Sequence, residues 1–382
     1  MSDTTPVRTI ISPRRYVQGA GAIHSLGTYL TSLGSTPLLV ADDVVWGFVG
    51  HDIEASLGSA GLPTHREKFN GVPSAAEIDR LVQIIGTRSA DVIVAIGGGS
   101  TIDAVKAAGH LAGINWVTVP TVTSTDAPTS ALAVVYTENG EFEEYRFFPK
   151  NPDLVLVDTQ VVANAPAAFL AAGVGDALAT WLEARATAAA HASTMAGGLP
   201  TLTGTALARL SWDVLWDNAL PALDAVRDNV VTPAVEKVVE ANTLLSGIGF
   251  ESGGLAAAHA IHNGLTAVPQ THGLAHGQKV NVGSVTQLIL EGAPTGEIRE
   301  FIEFTTRVGL PNTLTEVGLR PDDDQELATI AAAALAPGET IHNMPFEISP
   351  TELVSALKSI ERFARTVRTE AALPEPQPYH HH

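Results

Sequence analysis

Short apolar runs alternate with helically spaced segments through the first part of the chain: "TPLLVAD" at 36–42, "ADVIVAIGGG" at 90–99 and "NWVTVPT" at 115–121. Such alternation predicts βαβ units and a mainly parallel sheet. A further run, "DLVLVD" at 153–158, ends near "NAPAAF", where Pro166 suits the first turn of a helix. The boundary of an α/β domain over 1–165 is placed there. From about 166 the pattern changes to long, Ala- and Leu-rich stretches with helical spacing, such as "AAFLAAGVGDALATWLEARATAAAHA" and "VEKVVEANTLLSGIGFESGGLAAAHAIHNGL". These predict an all-α domain over 166–375, followed by a tail at 376–382. Its last residues, "YHHH", look like the remains of a purification tag, so His380, His381 and His382 are set aside from functional reasoning.

Composition narrows the class. With 382 residues, 45% of them hydrophobic and 16% charged, the chain suits two domains with substantial cores, and a large soluble enzyme is the default. A formal net charge of -19 with no basic run argues against a nucleic-acid partner, whose phosphates are bound by clustered Lys and Arg. There is no cysteine, so disulfides, thiolate ligands and a cysteine nucleophile are excluded, and any metal must be held by His and carboxylates. The N-terminus lacks a signal-like apolar core, and the positive mean hydropathy is attributed to alanine-rich segments rather than to a membrane span. A cytoplasmic protein with no membrane partner is expected.

"IVAIGGGSTIDAVKAAGH" sets Gly97, Gly98 and Gly99 between an apolar strand and a helix. Bare backbone N–H groups there could approach a phosphate, aided by the helix dipole, which makes the first domain a candidate dinucleotide-binding domain. The competing reading is a tight strand-to-helix turn with Ser100 as N-cap and Asp103 completing a box-like pair. "GAGAIHSL" from Gly19 carries His24 where a third glycine belongs and reads as a plain turn. Asp42, ending "LLVAD", is placed to accept from ribose hydroxyls and to repel a 2′-phosphate, favouring NAD. Lys106 reads as solvated or phosphate-neutralising, and Tyr145 and Trp181 as packing residues.

"HAIHNGLTAVPQTHGLAHG" at 259–277 gathers four histidines. His259 and His262 lie three residues apart and can share a helix face, while His276 could fold back towards them. His272 has no such positional support. Asp176, inside an apolar helix, is costly unless paired or metal-bound.

These blocks, with "YVQGAGAI", "GGGSTIDAVKA", "PTVTSTDAPTSALAVVYTENGEFEEY", "KNPDLVLVDT", "AAGVGDAL" and "GETIHNMP", resemble the glycerol dehydrogenases of the metal-dependent polyol and alcohol dehydrogenase superfamily over nearly the whole chain. The resemblance implies a dehydroquinate synthase-like fold and NAD-dependent oxidation of glycerol or a related 1,2-diol to dihydroxyacetone. It implies that Asp176, His259 and His276 bind Zn2+, with His262 lining the site. It implies further that Asp42, Gly97, Gly98 and Gly99 hold NAD, with Thr121, Ser124, Ser130, Leu132 and Tyr136 around the cofactor. Asp126 and Phe250 would face the substrate beside the ligand His259, Asp126 orienting a hydroxyl and His262 passing a proton. A homo-oligomer, often an octamer, is also implied. Iron-type relatives place a further histidine four residues after the helix aspartate, where this chain has Thr180, which favours zinc. Relatives commonly carry lysine after the three glycines, where this chain has Ser100. A 2-hydroxy acid dehydrogenase, or a dehydroquinate synthase-like lyase, stands as the alternative.

Overall fold

A computed structural model of the chain describes residues 7–139 and 142–378. The proposed tag residues at 380–382 lie outside the described residues. The chain divides into two compact units. One, the sheet unit, comprises Ile11–Leu170 with Pro221–Gly247; the other, the helical unit, comprises Ala171–Leu220 and Ile248 onward, with the segment through Ile10.

Strands β1 (Tyr16–Gly19), β2 (Pro37–Ala41), β3 (His65–Lys68), β4 (Val92–Gly97), β5 (Asn115–Pro120), β6 (Leu132–Tyr136), β7 (Phe142–Phe147) and β8 (Leu154–Asp158) all lie in the sheet unit. Six of them form a parallel sheet in the order β1-β8-β5-β4-β2-β3, and β6 with β7 forms a separate antiparallel hairpin. Helices α1 (Leu26–Leu30), α2 (Asp43–Ser59), α3 (Ala75–Arg88), α4 (Gly99–Ala112) and α5 (Thr159–Ala163) alternate with the strands. Strands β2 and β4 are buried at every position because both faces are covered. Leu38, Val40, Ile93 and Ala95 join one core with Ile102 and Trp116, whereas Leu39, Val92, Val94 and Ile96 join another with Ile53 and Leu57.

Connections from β2 run outward to β3, and those from β4 run the other way to β5, so the winding reverses between these neighbours. Ligands of open α/β sheets bind at such a switch point, beyond the carboxyl ends of the strands. The register, Val40 opposite Ala95, carries Asp42 and Gly97 to that same end.

The remaining helices are α6 (Ala167–Ala190), α7 (Leu202–Arg227), α8 (Pro233–Glu240), a π-helical turn (Ala241–Leu245), α9 (Ser246–Gly253), α10 (Ala257–Thr266), α11 (His276–Leu290), α12 (Thr295–Val308), α13 (Asp324–Ala334) and α14 (Pro350–Glu370). Among the described residues no strand follows β8, as the change of pattern near 166 predicts. Residues 221–247, read from sequence as part of the helical domain, lie in the sheet unit. Helix α6, one of the alanine-rich segments, is long and apolar enough to cross a membrane by length and composition, but 78% of its most apolar window is buried inside the protein, as in a core helix.

Within the helical unit α6 and α11 meet through glycines. A Cβ on Gly277 would lie 1.8 Å from the Ala172 carbonyl oxygen, and one on Gly175 would lie 2.5 Å from the Gly277 carbonyl oxygen. Only hydrogen at both positions permits this backbone approach. We predict that Gly277→Ala costs at least about 2 kcal/mol in urea unfolding, because backbone must move to admit the methyl group. Gly296→Ala, where a Cβ meets nothing within 4 Å, is the near-neutral control.

Candidate metal centre and cofactor edge

The glycine crossing sets neighbours of those glycines face to face. Asp176 follows Gly175 on α6, and His276 precedes Gly277 on α11. His276 Nε2 lies 3.1 Å from Asp176 Oδ1, and His259 Nε2, from α10, lies 3.3 Å from the same oxygen. One ligand atom from each of the three residues falls within 4.8 Å of the others. Zn–N and Zn–O bonds of about 2.0–2.2 Å make tetrahedral edges of about 3.4 Å, so the donor set fits a small divalent ion. Asp176 is 1% exposed and His276 34%, so the group is closed on the carboxylate side and open on the other.

A second carboxylate, which the sequence reading did not identify, organises this group. Glu183 lies two helical turns after Asp176 on α6 and is fully buried. His259 Nδ1 donates to Glu183 Oε2 at 2.5 Å, which turns Nε2 towards Asp176. Such a pairing fixes the tautomer in which Nε2 is the metal-binding nitrogen. Glu183 Oε1 accepts from the backbone N–H groups of Ala256 at 2.8 Å and His259 at 2.9 Å. Gln287 Oε1 accepts from those of Ala257 at 3.1 Å and Ala258 at 3.0 Å. The N-cap of α10 is Ala256, which offers no side-chain cap, so two buried side chains from α6 and α11 satisfy the amides a helix start leaves unpaired. Burial alone would lower the His259 pKa, but Glu183 and Asp176 outweigh it and raise it well above 6.5. Burial would raise the Asp176 pKa; His276 and His259 outweigh it and lower it.

His262, level with His259 on spacing alone, has different surroundings. Its Nδ1 lies 3.1 Å from Asn263 Oδ1, and its ring sits 4.1 Å from that of His276. Burial first, then His276, Lys279 and His259, push its pKa well below 6.5, so it is neutral. His272 is exposed, with Nε2 donating to the Thr266 carbonyl at 3.0 Å. Phe250 is buried in α9. Lys279, one turn after His276, is buried, and burial pushes its pKa down to about 8.

The other expected residues lie in the sheet unit, Asp126 among them. Asp42 caps α2, its Oδ1 accepting from Val45 N–H at 2.8 Å. Gly97 takes φ +154°, and its carbonyl accepts from Thr121 N–H at 3.2 Å. The N-cap of α4 is Gly98, which offers no side-chain cap, so the proposed Ser100 cap is corrected: Ser100 sits inside the first turn, exposed. A Cβ on Gly98 or Gly99 would meet only ordinary contacts at 3.5 Å, so these two glycines relieve no clash within the chain.

The solvated reading of Lys106 is also corrected. It is fully buried, its Nζ 3.1 Å from Asp103 Oδ1, donating to the Ala127 carbonyl at 2.8 Å and Ser130 Oγ at 3.1 Å. Ser130 is thereby engaged inside the protein, while Ser124, Leu132 and Tyr136 are half-buried. Burial and the nearby Asp103 push the Tyr136 pKa up to about 12. Tyr145, read as packing, is 38% exposed, and Trp181 is half-buried under Arg209 at 5.2 Å.

Two measurements follow from this geometry. Glu183→Gln retains an oxygen for the amides but presents no second acceptor to Nδ1–H, so metal affinity should fall about 10–100-fold in chelator competition while the fold persists. Because the raised pKa keeps His259 protonated near neutral pH without metal, binding must expel that proton. Affinity should therefore rise as pH rises through the His259 pKa, with proton release detectable by calorimetry in buffers of different ionisation heat. A pH-independent affinity would contradict the assignment.

Comparisons with known proteins place the chain in a family. Residues 13–159 match the family described as iron-containing alcohol dehydrogenase. The chain is 49% identical over 358 residues to a glycerol dehydrogenase of Escherichia coli O6:H1, covering 94% of this chain and 98% of that one. It is 47% identical over 357 residues to a glycolaldehyde reductase of Halobacterium salinarum, with 94% and 98% covered. The crystal structure of glycerol dehydrogenase from Schizosaccharomyces pombe superposes with a TM-score of 0.95 at 37% identity, covering 98% of this chain and 96% of that one. Identity at this level over nearly the full length of each chain is a family relationship, and the protein belongs to the glycerol dehydrogenase group of the iron-containing alcohol dehydrogenases.

Proposed function

We propose that the protein oxidises glycerol, or a related 1,2-diol, with NAD+ to the corresponding hydroxyketone, using zinc held by Asp176, His259 and His276. The observation that carries this reading is the three-residue donor set with His259 held by Glu183. Zinc bound there would supply the Lewis acidity that lets a substrate hydroxyl ionise near neutral pH, and NAD+ would accept the hydride. Three protein ligands, with Thr180 where iron-type relatives carry histidine, support zinc. The relatives' names point to substrates with oxygen on adjacent carbons: glycerol, and in the reductive direction glycolaldehyde.

The chain's own residues supply binding and proton handling. His262, neutral in its buried position, can accept the hydroxyl proton and pass it on. Asp126 accepts a hydrogen bond from a further substrate hydroxyl, and Phe250 contributes an apolar wall. Gly97, Gly98 and Gly99 offer backbone N–H groups to the cofactor pyrophosphate at the uncapped start of α4, which the lack of any steric need for glycine at 98 and 99 supports. Asp42 accepts from the ribose hydroxyls, and Thr121, Ser124, Ser130, Leu132 and Tyr136 surround the cofactor. A 2-hydroxy acid is the second reading. It draws on Lys279, a buried ammonium one turn from His276 that would suit a carboxylate. The same family reading carries a cytoplasmic homo-oligomer, an octamer, which light scattering would size.

The substrate test is NAD+ reduction by zinc-reloaded protein with glycerol, 1,2-propanediol, 2,3-butanediol and 2-hydroxy acids. Preference for the diols is expected; preference for the acids would replace the reading. Asp176→Asn and His259→Ala should each lose metal and activity while the sheet unit still folds, and full zinc occupancy in either variant would remove the metal assignment. Asp42→Ala should narrow the preference for NAD+ over NADP+, measured as the ratio of kcat/KM values.

A further inference from the structure

The segment "ANTLLSG" at 241–247 is pressed against the loop that carries Asp126, and both belong to the sheet unit. Ser246 Oγ donates to Asp126 Oδ2 at 2.7 Å, and Ser246 is fully buried. Asn242 Nδ2 donates to the Thr123 carbonyl at 3.2 Å, and Thr129 Oγ1 donates to the Thr243 carbonyl at 3.1 Å. A Cβ on Gly247 would lie 1.7 Å from Thr129 Oγ1, so glycine is required for the approach. From the other side Lys106 Nζ holds the Ala127 carbonyl at 2.8 Å, and Thr118 Oγ1 holds that of Pro128 at 2.9 Å.

The segment contains a π-helical turn at Ala241–Leu245. Its wider turn takes up one extra residue, which rotates everything after it by about 100° around the helix axis relative to an unbroken α-helix. Asn242 and Ser246 are four residues apart and so lie on one helix face, from which both reach the loop that carries Asp126.

We propose that Ser246 is a positioning residue for the reaction: its hydroxyl fixes the Asp126 carboxylate in the orientation that receives the third hydroxyl of glycerol. The proposal rests on the substrate role given to Asp126 under the proposed function. A carboxylate that loses a buried hydroxyl donor both reorients and becomes easier to protonate.

The test compares Ser246→Ala, Ser246→Cys, Asp126→Ala and the double variant Asp126→Ala with Ser246→Ala, all as zinc-loaded protein with melting curves recorded. Glycerol is set against ethane-1,2-diol, which lacks the third hydroxyl. Ser246→Ala should raise KM for glycerol about tenfold, with a much smaller change for ethane-1,2-diol and little change in kcat. The acid limb of its glycerol KM profile should move to higher pH. Ser246→Cys, nearly equal in size but a weak donor, should behave alike, which separates the hydrogen bond from packing. The double variant should be no worse than Asp126→Ala, since Ser246 acts through that carboxylate. Wild-type glycerol kinetics in both Ser246 variants beside an impaired Asp126→Ala, or additive losses in the double variant, would overturn the positioning role alone. Wild-type kinetics in Asp126→Ala would instead remove the substrate role of Asp126, and the positioning role with it.

Discussion

A single buried carboxylate ties the helical unit to its chemistry. Glu183 satisfies amides at the start of α10 and at the same time holds the ring of the first histidine on that helix. Removing a carboxylate from water is costly unless its oxygens are fully used, and here they accept from two backbone N–H groups and an imidazole. The helix therefore cannot settle in place without its ligand being aimed. Folding and ligand geometry are satisfied by the same contacts, which is an economical way to hold a metal ligand on a helix with no cap of its own.

The glycine crossing performs the complementary task for the other two ligands. With Gly175 and Gly277 in backbone contact, the separation of α6 and α11 is fixed by van der Waals radii rather than by side-chain packing. Asp176 and His276 inherit that fixed distance. In the sheet unit the corresponding constraint is the reversal of winding between β2 and β4, which brings Asp42 and the glycine loop to one end of the sheet without any contact between their side chains.

Much of this was legible in the sequence, for identifiable reasons. Strands β2, β4, β5 and β8 are mainly apolar and almost wholly buried because they are covered on both faces, and they stand out. Strands β1, β3, β6 and β7 are partly exposed or polar, as in "HREK" at β3, and their pattern merges with loop sequence. The spacing of His259 and His262 placed both on one helix but could not choose between them; the choice depends on Glu183 from another helix. Glu183 is as costly in an apolar helix as Asp176 on the same helix, but its partners, the start of α10 and His259, are distant in sequence. A signal was present: it lies seven residues after Asp176, on the same helix face. Lys106 is another such case, since a lysine shortly after a phosphate-type loop suggests solvent or phosphate, while beside the nearby Asp103 it is held by Ala127 and Ser130, distant in sequence.

The uncapped start of α4 bears on how the proposed cofactor contact would respond to salt. With Ser100 exposed in that first turn, a pyrophosphate held by the glycine loop as proposed would meet backbone dipoles there, on a chain whose net charge is -19. Hydrogen bonds to bare amides act at contact range and are hardly touched by dissolved ions, whereas repulsion between an anionic cofactor and an anionic surface reaches a Debye length and is screened. Rising ionic strength therefore removes the opposing force while leaving the attractive one in place. On the proposed role of the glycine loop, its hold on pyrophosphate would depend less on ionic strength than that of a lysine-based site.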